Sequence, residues 1–358
     1  MHRLNTIAGL VAAAAATLAT MPACAQGTAP TATSNITVYG LIDAVVRRAT
    51  NVSAAGDAVT SMEDGLITGS RLGFRGIEDL GGGMRAVFTM ESGFDPSTGV
   101  SLQATPVADF GQDAASPRFW GREVHVGLRG DWGGVTLGRQ YTTAHQIAAR
   151  FQPQGNPNNL ALSVFSSHHI ARQDNVLRVD TKLGDVELLA TRTFGEQAGS
   201  SSANASWAVG AGYTKGDVYV GGYIQRMNNL EGTETRKIVG VGGNYKINPT
   251  VAVFLGYMQR SSEVSPQENK VIAIGANVEL TTTSTLSVEY FDDKQSGSAA
   301  LEGSRKVGWV TANYRFSRRT DIYAAIDQNR VRDGYGKLGF LGTLGNQTGV
   351  SMGLRHRF

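Results

Sequence analysis

The sequence offers few covalent or helical means of stabilisation. It contains 1 cysteine and 9 prolines in 358 residues, so intrachain disulfide bonds are excluded. Past the N-terminal segment, no run approaches the roughly 18 to 20 uncharged apolar residues of a membrane-spanning helix, which excludes a bundle of such helices. The 33 basic and 30 acidic residues nearly balance and are evenly spread, so the charge does not favour nucleic acid as a partner.

Glycine, in contrast, is abundant. The chain has 45 glycines, nearly double the ordinary share of roughly 7%, without a collagen period. In a helix each glycine costs about 1 kcal/mol relative to alanine. The excess therefore favours tight turns and closely packed strands, with small side-chain positions along one face.

The N-terminus is typical of a secretory signal peptide. Met1-His2-Arg3 is a short basic start, residues 7–20 are apolar and alanine-rich, and Ala23-Cys24-Ala25 offers small residues for cleavage. We predict a signal peptide over 1–25 and a single mature domain over 26–358. A lipoprotein with Cys24 acylated is the weaker alternative, because Met21-Pro22 replaces the usual leucine and small residue.

From residue 36 to the C-terminus the apolar residues recur with a period of two. Ile272 and Ile274, for example, alternate with Ala273 and Gly275, which indicates strands with one apolar face. Short turn signals and longer polar stretches divide this pattern and alternate strictly. The short connections lie at 79–83, 130–134, 184–185, 216–217, 248–250, 281–283 and 317–320, and the longer ones at 49–68, 92–120, 141–171, 194–206, 227–235, 261–269, 292–304 and 331–347. Together they separate 16 strands.

This sorting of connections predicts an antiparallel barrel with all tight turns at one end. A soluble sandwich or propeller would bury the apolar face and has no reason to sort its loops in this way. A closed barrel in the outer membrane of a Gram-negative bacterium has short periplasmic turns and long external loops. Closure also satisfies every backbone group in lipid. Sixteen strands leave a water-filled lumen. The expected fold is therefore an all-β, 16-stranded antiparallel transmembrane barrel.

Four ordered motifs resemble the general-diffusion porins of beta-proteobacteria. They are ITVYGLID from Ile36, GSRLGFRGIEDLGGG from Gly69, VTLGRQY from Val135 and the terminal GLRHRF. The resemblance covers essentially the whole mature chain. It implies a homotrimer whose third external loop folds into the lumen and narrows it. It also implies outer-membrane lipid, lipopolysaccharide, periplasmic chaperones and the barrel-assembly machinery as partners. Phe358 resembles the signal that this machinery recognises, and it also suits an aromatic belt at the membrane interface.

A diffusion pore requires a charged narrowing, with no reaction chemistry and no cofactor. By resemblance, the residues that match the pore-lining arginines are Arg71, Arg122 and Arg172, with Glu91 as their acidic neighbour. Arg71 also lies opposite Leu72 in the alternation, on the polar face of its strand. Further lumen-facing candidates are Arg75, Arg85, Arg150, Arg178 and Lys182.

The orientation of the Arg122 side chain leaves two alternatives. Strict alternation places it with Val124 and Val126. Either these valines line the lumen and His125 faces outward, or a bulge near Gly121 reverses the register. The resemblance favours the first.

The predicted constriction loop, 142–171, contains Arg150, His145, His168 and His169 but no acidic residue. Family members commonly carry an acidic element there. A basic wall facing a basic loop predicts a preference for anions. The adjacent His168 and His169 are not expected to form a metal site, because no cysteine or acidic residue lies nearby in the sequence.

Two other functions stay open. A substrate-specific porin for a small anionic or sugar solute fits the same pattern. A barrel enzyme requires a nucleophile beside an activating base. His125 is the only histidine well inside a predicted strand, and no serine and aspartate accompany it, so we expect a channel without catalytic activity.

Overall fold

The computed structural model describes residues 35–103, 110, 118–336, 339–341 and 343–358. The predicted signal peptide over 1–25 lies outside the described residues, and its cleavage stays a prediction. Among the residues that the structure describes, no helix is both long enough and apolar enough to cross a membrane.

Most of the described chain forms β-strands. In chain order these are β1 (Asn35–Ala49), β2 (Val59–Asp64), β3 (Arg71–Gly81), β4 (Met84–Gly93), β5 (Glu123–Gly130), β6 (Gly133–Tyr141), β7 (Arg172–Leu183), β8 (Val186–Thr193), β9 (Ser206–Lys215), β10 (Val218–Asn228), β11 (Thr235–Asn248), β12 (Val251–Ser262), β13 (Glu268–Glu279), β14 (Ser284–Ser296), β15 (Gly303–Arg315), β16 (Thr320–Asp333) and β17 (Asn346–Arg357). Neighbouring strands pair antiparallel, and β17 pairs with β1, which closes the barrel.

The second strand of the barrel is interrupted. β2 pairs with residues 44–49 of β1, and β3 pairs with residues 35–41. The two segments therefore occupy one strand position next to β1, and the barrel has the 16 strand positions that the sequence predicts. The predicted connection 49–68 is wrong in extent, because it includes β2.

Side-chain hydrogen bonds replace the strand ladder across this interruption. The Asp43 backbone N–H donates to Ser70 Oγ at 3.0 Å, and the Ser70 N–H donates to Asp64 Oδ1 at 2.7 Å. These bonds satisfy backbone groups that a continuous strand would pair. Short polar side chains thus allow residues 65–70 to depart from the sheet between β2 and β3.

The short connections confirm the predicted turn positions. Each of the seven lies between two consecutive strands, from the β3–β4 turn to the β15–β16 turn. The first of these turns needs glycine, because Gly81, Gly82 and Gly83 have φ angles of 81°, 59° and 79°. All seven turns lie at the periplasmic end, and the longer connections lie at the external end.

The apolar faces point outward, as predicted. Ile272 and Ile274 are 54% and 57% exposed, whereas Ala273 between them is fully buried. Every second residue of a strand therefore meets lipid, and the others face the lumen.

The loop between β6 and β7 packs inside the barrel, as the resemblance to the porins implies. It contains helix α1 (Thr143–Ala148), a 3-10 turn (Ala149–Phe151) and helix α2 (Phe165–His168). Trp309 Nε1 donates to the Leu162 carbonyl at 3.0 Å, and Asn329 Nδ2 donates to the Ala161 carbonyl at 2.8 Å. Inward-facing groups of the barrel wall thereby hold the loop in the lumen.

Glycines of the wall make room for this loop. A Cβ atom at Gly242 would lie 2.6 Å from Phe151 Cγ, and one at Gly275 would lie 2.6 Å from Pro153 Cγ. Such distances are shorter than van der Waals contact. Some small lumen-facing positions therefore accommodate the loop as closely packed neighbours.

Candidate constriction of the pore

The candidate constriction begins with Arg71 and Glu91 on adjacent strands. Arg71 pairs with Leu41, the middle of β1, so it lies near mid-height in the barrel. Arg71 Nη1 lies 3.6 Å from Glu91 Oε1, and Arg71 Nε donates to the Gly69 carbonyl at 3.0 Å. The Arg71 side chain is 20% exposed. Its charge therefore reaches the water of the lumen.

Arg122 joins this cluster through an irregular start of β5. Its backbone N–H donates to the Glu91 carbonyl at 3.1 Å, while Glu123 is the ladder partner of Glu91. Two consecutive residues thus oppose one residue, as in a β-bulge. The Arg122 Nε group donates to Glu91 Oε1, and the Arg122 side chain is buried.

The bulge corrects the favoured prediction for this strand. Val124 and Val126 face outward, with 36% and 57% exposure, and His125 lies on the inner face with Glu123. The favoured alternative, in which the valines line the lumen, is wrong. The reversal of register near Gly121 is correct, because regular alternation begins only at Glu123.

Tyr141 connects two of the arginines. The Nη2 group of Arg122 donates to the Tyr141 hydroxyl oxygen at 2.9 Å, and Arg172 Nη2 donates to the same oxygen. The Arg172 guanidinium carbon also lies 4.1 Å from the centre of the Tyr141 ring. The structure therefore brings Arg71, Arg122, Arg172 and Glu91 together.

Two tyrosines in this cluster were not predicted as site residues. Tyr141 ends β6, and Tyr39 on β1 donates its hydroxyl to Glu91 Oε2 at 3.0 Å. Both lie inside the quoted motifs, but a period of two does not separate a tyrosine that contacts charge from one at the membrane interface. Only the tertiary contacts do so.

Positive charge exceeds negative charge at this point. Three guanidinium groups accompany two carboxylates, those of Glu91 and Glu123. In the described part of the chain, no guanidinium nitrogen lies within 4 Å of the Glu123 carboxylate, and His125 Nε2 lies 3.8 Å from its Oε1 atom. The wall of the constriction is therefore net basic.

The loop side is less basic than its sequence predicts. The His145 ring stacks on Tyr141, and its Nδ1 atom lies 3.1 Å from His169 Nε2. Burial holds the pKa of His145 well below its usual range and lowers the pKa of His169 to about 3. Both rings are neutral at pH 7, so they add no charge to the pore.

Arg150 is bound by residues of the barrel wall. Its Nη1 group donates to Glu187 Oε1 at 2.9 Å, and its guanidinium carbon lies 3.7 Å from the centre of the Tyr219 ring. This arginine fastens the loop to β8 and β10. Positive potential at the constriction therefore comes chiefly from the barrel wall.

His168 and His169 diverge in the structure. His168 Nε2 lies 2.6 Å from Asp293 Oδ2 on β14, whereas His169 contacts His145 within the loop. In the described ranges, no three histidine, cysteine, aspartate or glutamate residues are grouped to hold a metal ion.

The remaining candidates occupy separate places. Arg75 lies 5.3 Å from the centre of the Tyr39 ring, and Arg85, Arg178 and Lys182 line a cavity near the periplasmic turns. Phe358 exchanges two backbone hydrogen bonds with Gly40, each of 3.0 Å, and its ring is partly exposed on the outer face. That position suits an aromatic residue at the membrane interface. Recognition of Phe358 during assembly stays a prediction.

A closed barrel with an apolar exterior and a loop-narrowed, charged lumen is the architecture of outer-membrane channel proteins. The family model described as Gram-negative porin matches residues 11–334. The chain belongs to this family, and its location is the outer membrane of a Gram-negative bacterium.

Two of the relatives are similar over nearly their full length. The major outer membrane protein P.IB of Neisseria meningitidis serogroup B is 24% identical over 96% of this chain and 98% of that protein. Outer membrane porin protein 32 of Delftia acidovorans is 25% identical over 91% of this chain and 95% of that protein. The solved anion-selective porin from Comamonas acidovorans superposes with a TM-score of 0.74, at 20% identity, over 91% of this chain and 100% of that one.

Proposed function

We propose that this porin is a passive channel for small hydrophilic solutes and ions and that it prefers anions. The observation that carries the proposal is the cluster of Arg71, Arg122 and Arg172 around the Glu91 carboxylate at mid-height of the lumen. The similarity to a porin described as anion-selective supports it.

The cluster is strong enough to bias ion passage. A unit charge about 4 Å from a cation gains about 1 kcal/mol in bulk-like water and about 4 kcal/mol in a confined, less polar setting. Tyr39 and Tyr141 hold the arginine cluster in place without adding negative charge. Each guanidinium that faces the lumen therefore favours anions over cations.

A substrate-specific porin for an anionic or sugar solute is the second candidate. The clustered guanidinium groups match carboxylates and phosphates in geometry, which favours an anionic solute within this alternative. Saturable block of conductance by one such solute supports it. Catalysis is not part of the proposal: His125 faces Glu123 at 3.8 Å, in a strand whose inner face offers no serine nucleophile.

Membership of the porin family supports a proposal for the assembly. We expect a homotrimer in outer-membrane lipid and lipopolysaccharide, delivered by periplasmic chaperones and inserted by the barrel-assembly machinery. One solved relative, the OmpT protein of Vibrio cholerae, is described in a trimer form. Conductance that rises in three equal steps per insertion supports the trimer.

The reversal potential in a planar bilayer under a KCl gradient tests the proposal. A potential of the sign set by chloride supports anion preference, and its magnitude falls at high salt because the Debye length shortens. A potential of the sign set by potassium refutes anion preference. Absence of conductance in membranes that contain the folded protein refutes the channel itself.

A further inference from the structure

A second group of cations lines the lumen near the periplasmic turns. Arg85 on β4, Arg129 on β5, and Arg178 and Lys182 on β7 surround a cavity of about 310 Å³. Gln146 of α1 lines the same cavity, which places it between the barrel wall and the constriction loop. This volume is at the lower end of the roughly 300–1,000 Å³ of small-molecule sites. We call this group the periplasmic basic cluster.

Too few carboxylates accompany these cations. Asp180 serves two arginines: its Oδ1 atom lies 3.2 Å from Arg178 Nε, and both of its oxygens accept from Arg129, Oδ1 from Nη1 at 3.4 Å and Oδ2 from Nη2. Arg85 lies directly opposite Arg129 in the β4–β5 ladder. Like charges directly opposite each other on adjacent strands are unfavourable. Asp79 is the ladder partner of Arg85 on β3, but in the described residues its carboxylate does not come within 4 Å of the Arg85 guanidinium.

Lys182 and Arg85 are the cations of this cluster that no nearby carboxylate of the described residues neutralises. In the part of the chain that the structure describes, no carboxylate oxygen lies within 4 Å of either side-chain cation. Glu187 is the ladder partner of Lys182, but its Oε1 atom accepts from Arg150. Asp131 is the remaining acidic residue of the lining, in the β5–β6 turn.

The periplasmic basic cluster is separate from the constriction. Arg85 and Glu91 lie six positions apart on β4, a distance of about 20 Å along a strand. This is about two Debye lengths at 0.1 M salt. The two groups of charges therefore act on a permeating anion in succession.

We propose that the periplasmic basic cluster is a binding site for small anions that carry two negative charges on oxygen, such as phosphate. The inference rests on the proposed function, because anions must reach the lumen. Arginine forms paired hydrogen bonds with phosphate and carboxylate oxygens, and lysine adds a point charge. The site makes permeation asymmetric, since a dianion from the periplasmic side meets it before the constriction.

Single-channel recording with inorganic phosphate tests the site. The KCl reversal potential is measured first, and phosphate is then added to each side in turn. The wild type is expected to show half-maximal block at a several-fold lower concentration from the periplasmic side. Arg85→Gln with Lys182→Gln is expected to raise that concentration at least fivefold and to remove the asymmetry. Asp180→Asn is expected to lower it, because both arginines lose their shared carboxylate.

The matched control is Arg318→Gln with Arg319→Gln. It removes two exposed cations at the same end of the barrel, outside the cavity, and is expected to leave the phosphate block unchanged. An equal effect of the control refutes a local site, as does unchanged block in the Arg85 and Lys182 variant. Anion preference in KCl without side-specific phosphate block refutes the site alone. Cation preference with side-specific block refutes the proposed function alone.

Discussion

Replacement of Arg71 by glutamine is the most direct test of the constriction. Among the three clustered arginines, Arg71 combines lumen exposure of 20% with a loose contact of 3.6 Å to Glu91. Arg122 is buried against the same carboxylate. Arg71→Gln therefore removes a charge that ions experience, and the Arg122–Glu91 pair retains its geometry.

The expected change follows from the distance of a passing ion. At about 7 Å from the guanidinium in bulk-like water, the interaction is about 0.6 kcal/mol, and screening at 0.1 M salt reduces it to about 0.3 kcal/mol. The substitution weakens anion attraction and cation repulsion by equal amounts. The chloride-to-potassium permeability ratio therefore falls about threefold. At 1 M salt, with a Debye length of about 3 Å, the fall is below about 1.3-fold.

Reversal potentials of wild type and Arg71→Gln under KCl gradients at both salt levels provide the measurement. Arg318→Gln, in an exposed periplasmic turn, is the matched control and is expected to leave the ratio unchanged. An unchanged ratio for Arg71→Gln at 0.1 M salt would contradict the role of the wall arginines. An effect equally large at 1 M salt would contradict its electrostatic origin.

Three further predictions concern the loop and the wall. Gly275→Ala places a methyl group 2.6 Å from Pro153 Cγ, so the constriction loop must shift. The single-channel conductance is expected to change, and an identical conductance would argue against close packing of the loop at Gly275. Asp327→Asn breaks the buried ion pair with Arg47 and is expected to lower the free energy of unfolding by about 3–5 kcal/mol. The control, Glu263→Gln in an exposed ion pair, is expected to lower it by less than about 1 kcal/mol. Denaturant titration measures both. Burial lowers the pKa of His169 to about 3, so between pH 6.5 and about pH 3 the unfolded chain binds more protons and stability falls as the pH drops. His169→Gln is expected to reduce this acid sensitivity in thermal unfolding curves. The control, His356→Gln at an exposed position, is expected to leave it unchanged.

The strand order could be predicted because its signals are local. The turn at Gly81-Gly82-Gly83 has positive φ angles, and the three glycines that permit them are visible in the sequence. Outward valines and isoleucines repeat every second residue because lipid contacts every second side chain. The path of the constriction loop, in contrast, was predicted from resemblance. Its anchors, such as Trp309 to Leu162, lie far apart in the sequence.

The errors also have local causes. β2 was assigned to a loop because its sequence, VTSMED, is short and half polar. Its pairing with residues 44–49 of β1 is a tertiary property. The register of β5 was misassigned because a bulge shifts alternation by one residue without a distinctive sequence signal. His145 and His169 were counted as basic because their burial, which lowers the pKa of both rings, is invisible in sequence.

The pairing of Phe358 with Gly40 has a consequence for biogenesis. Phe358 and Gly40 exchange two backbone hydrogen bonds at the periplasmic part of the β1–β17 seam, and the Phe358 ring covers a position that only glycine leaves free. A chain that ended a few residues earlier would leave β1 edge groups unpaired in lipid, at several kcal/mol each. Closure of the barrel therefore depends on the C-terminal part of β17, and a deletion there is expected to open the β1–β17 seam.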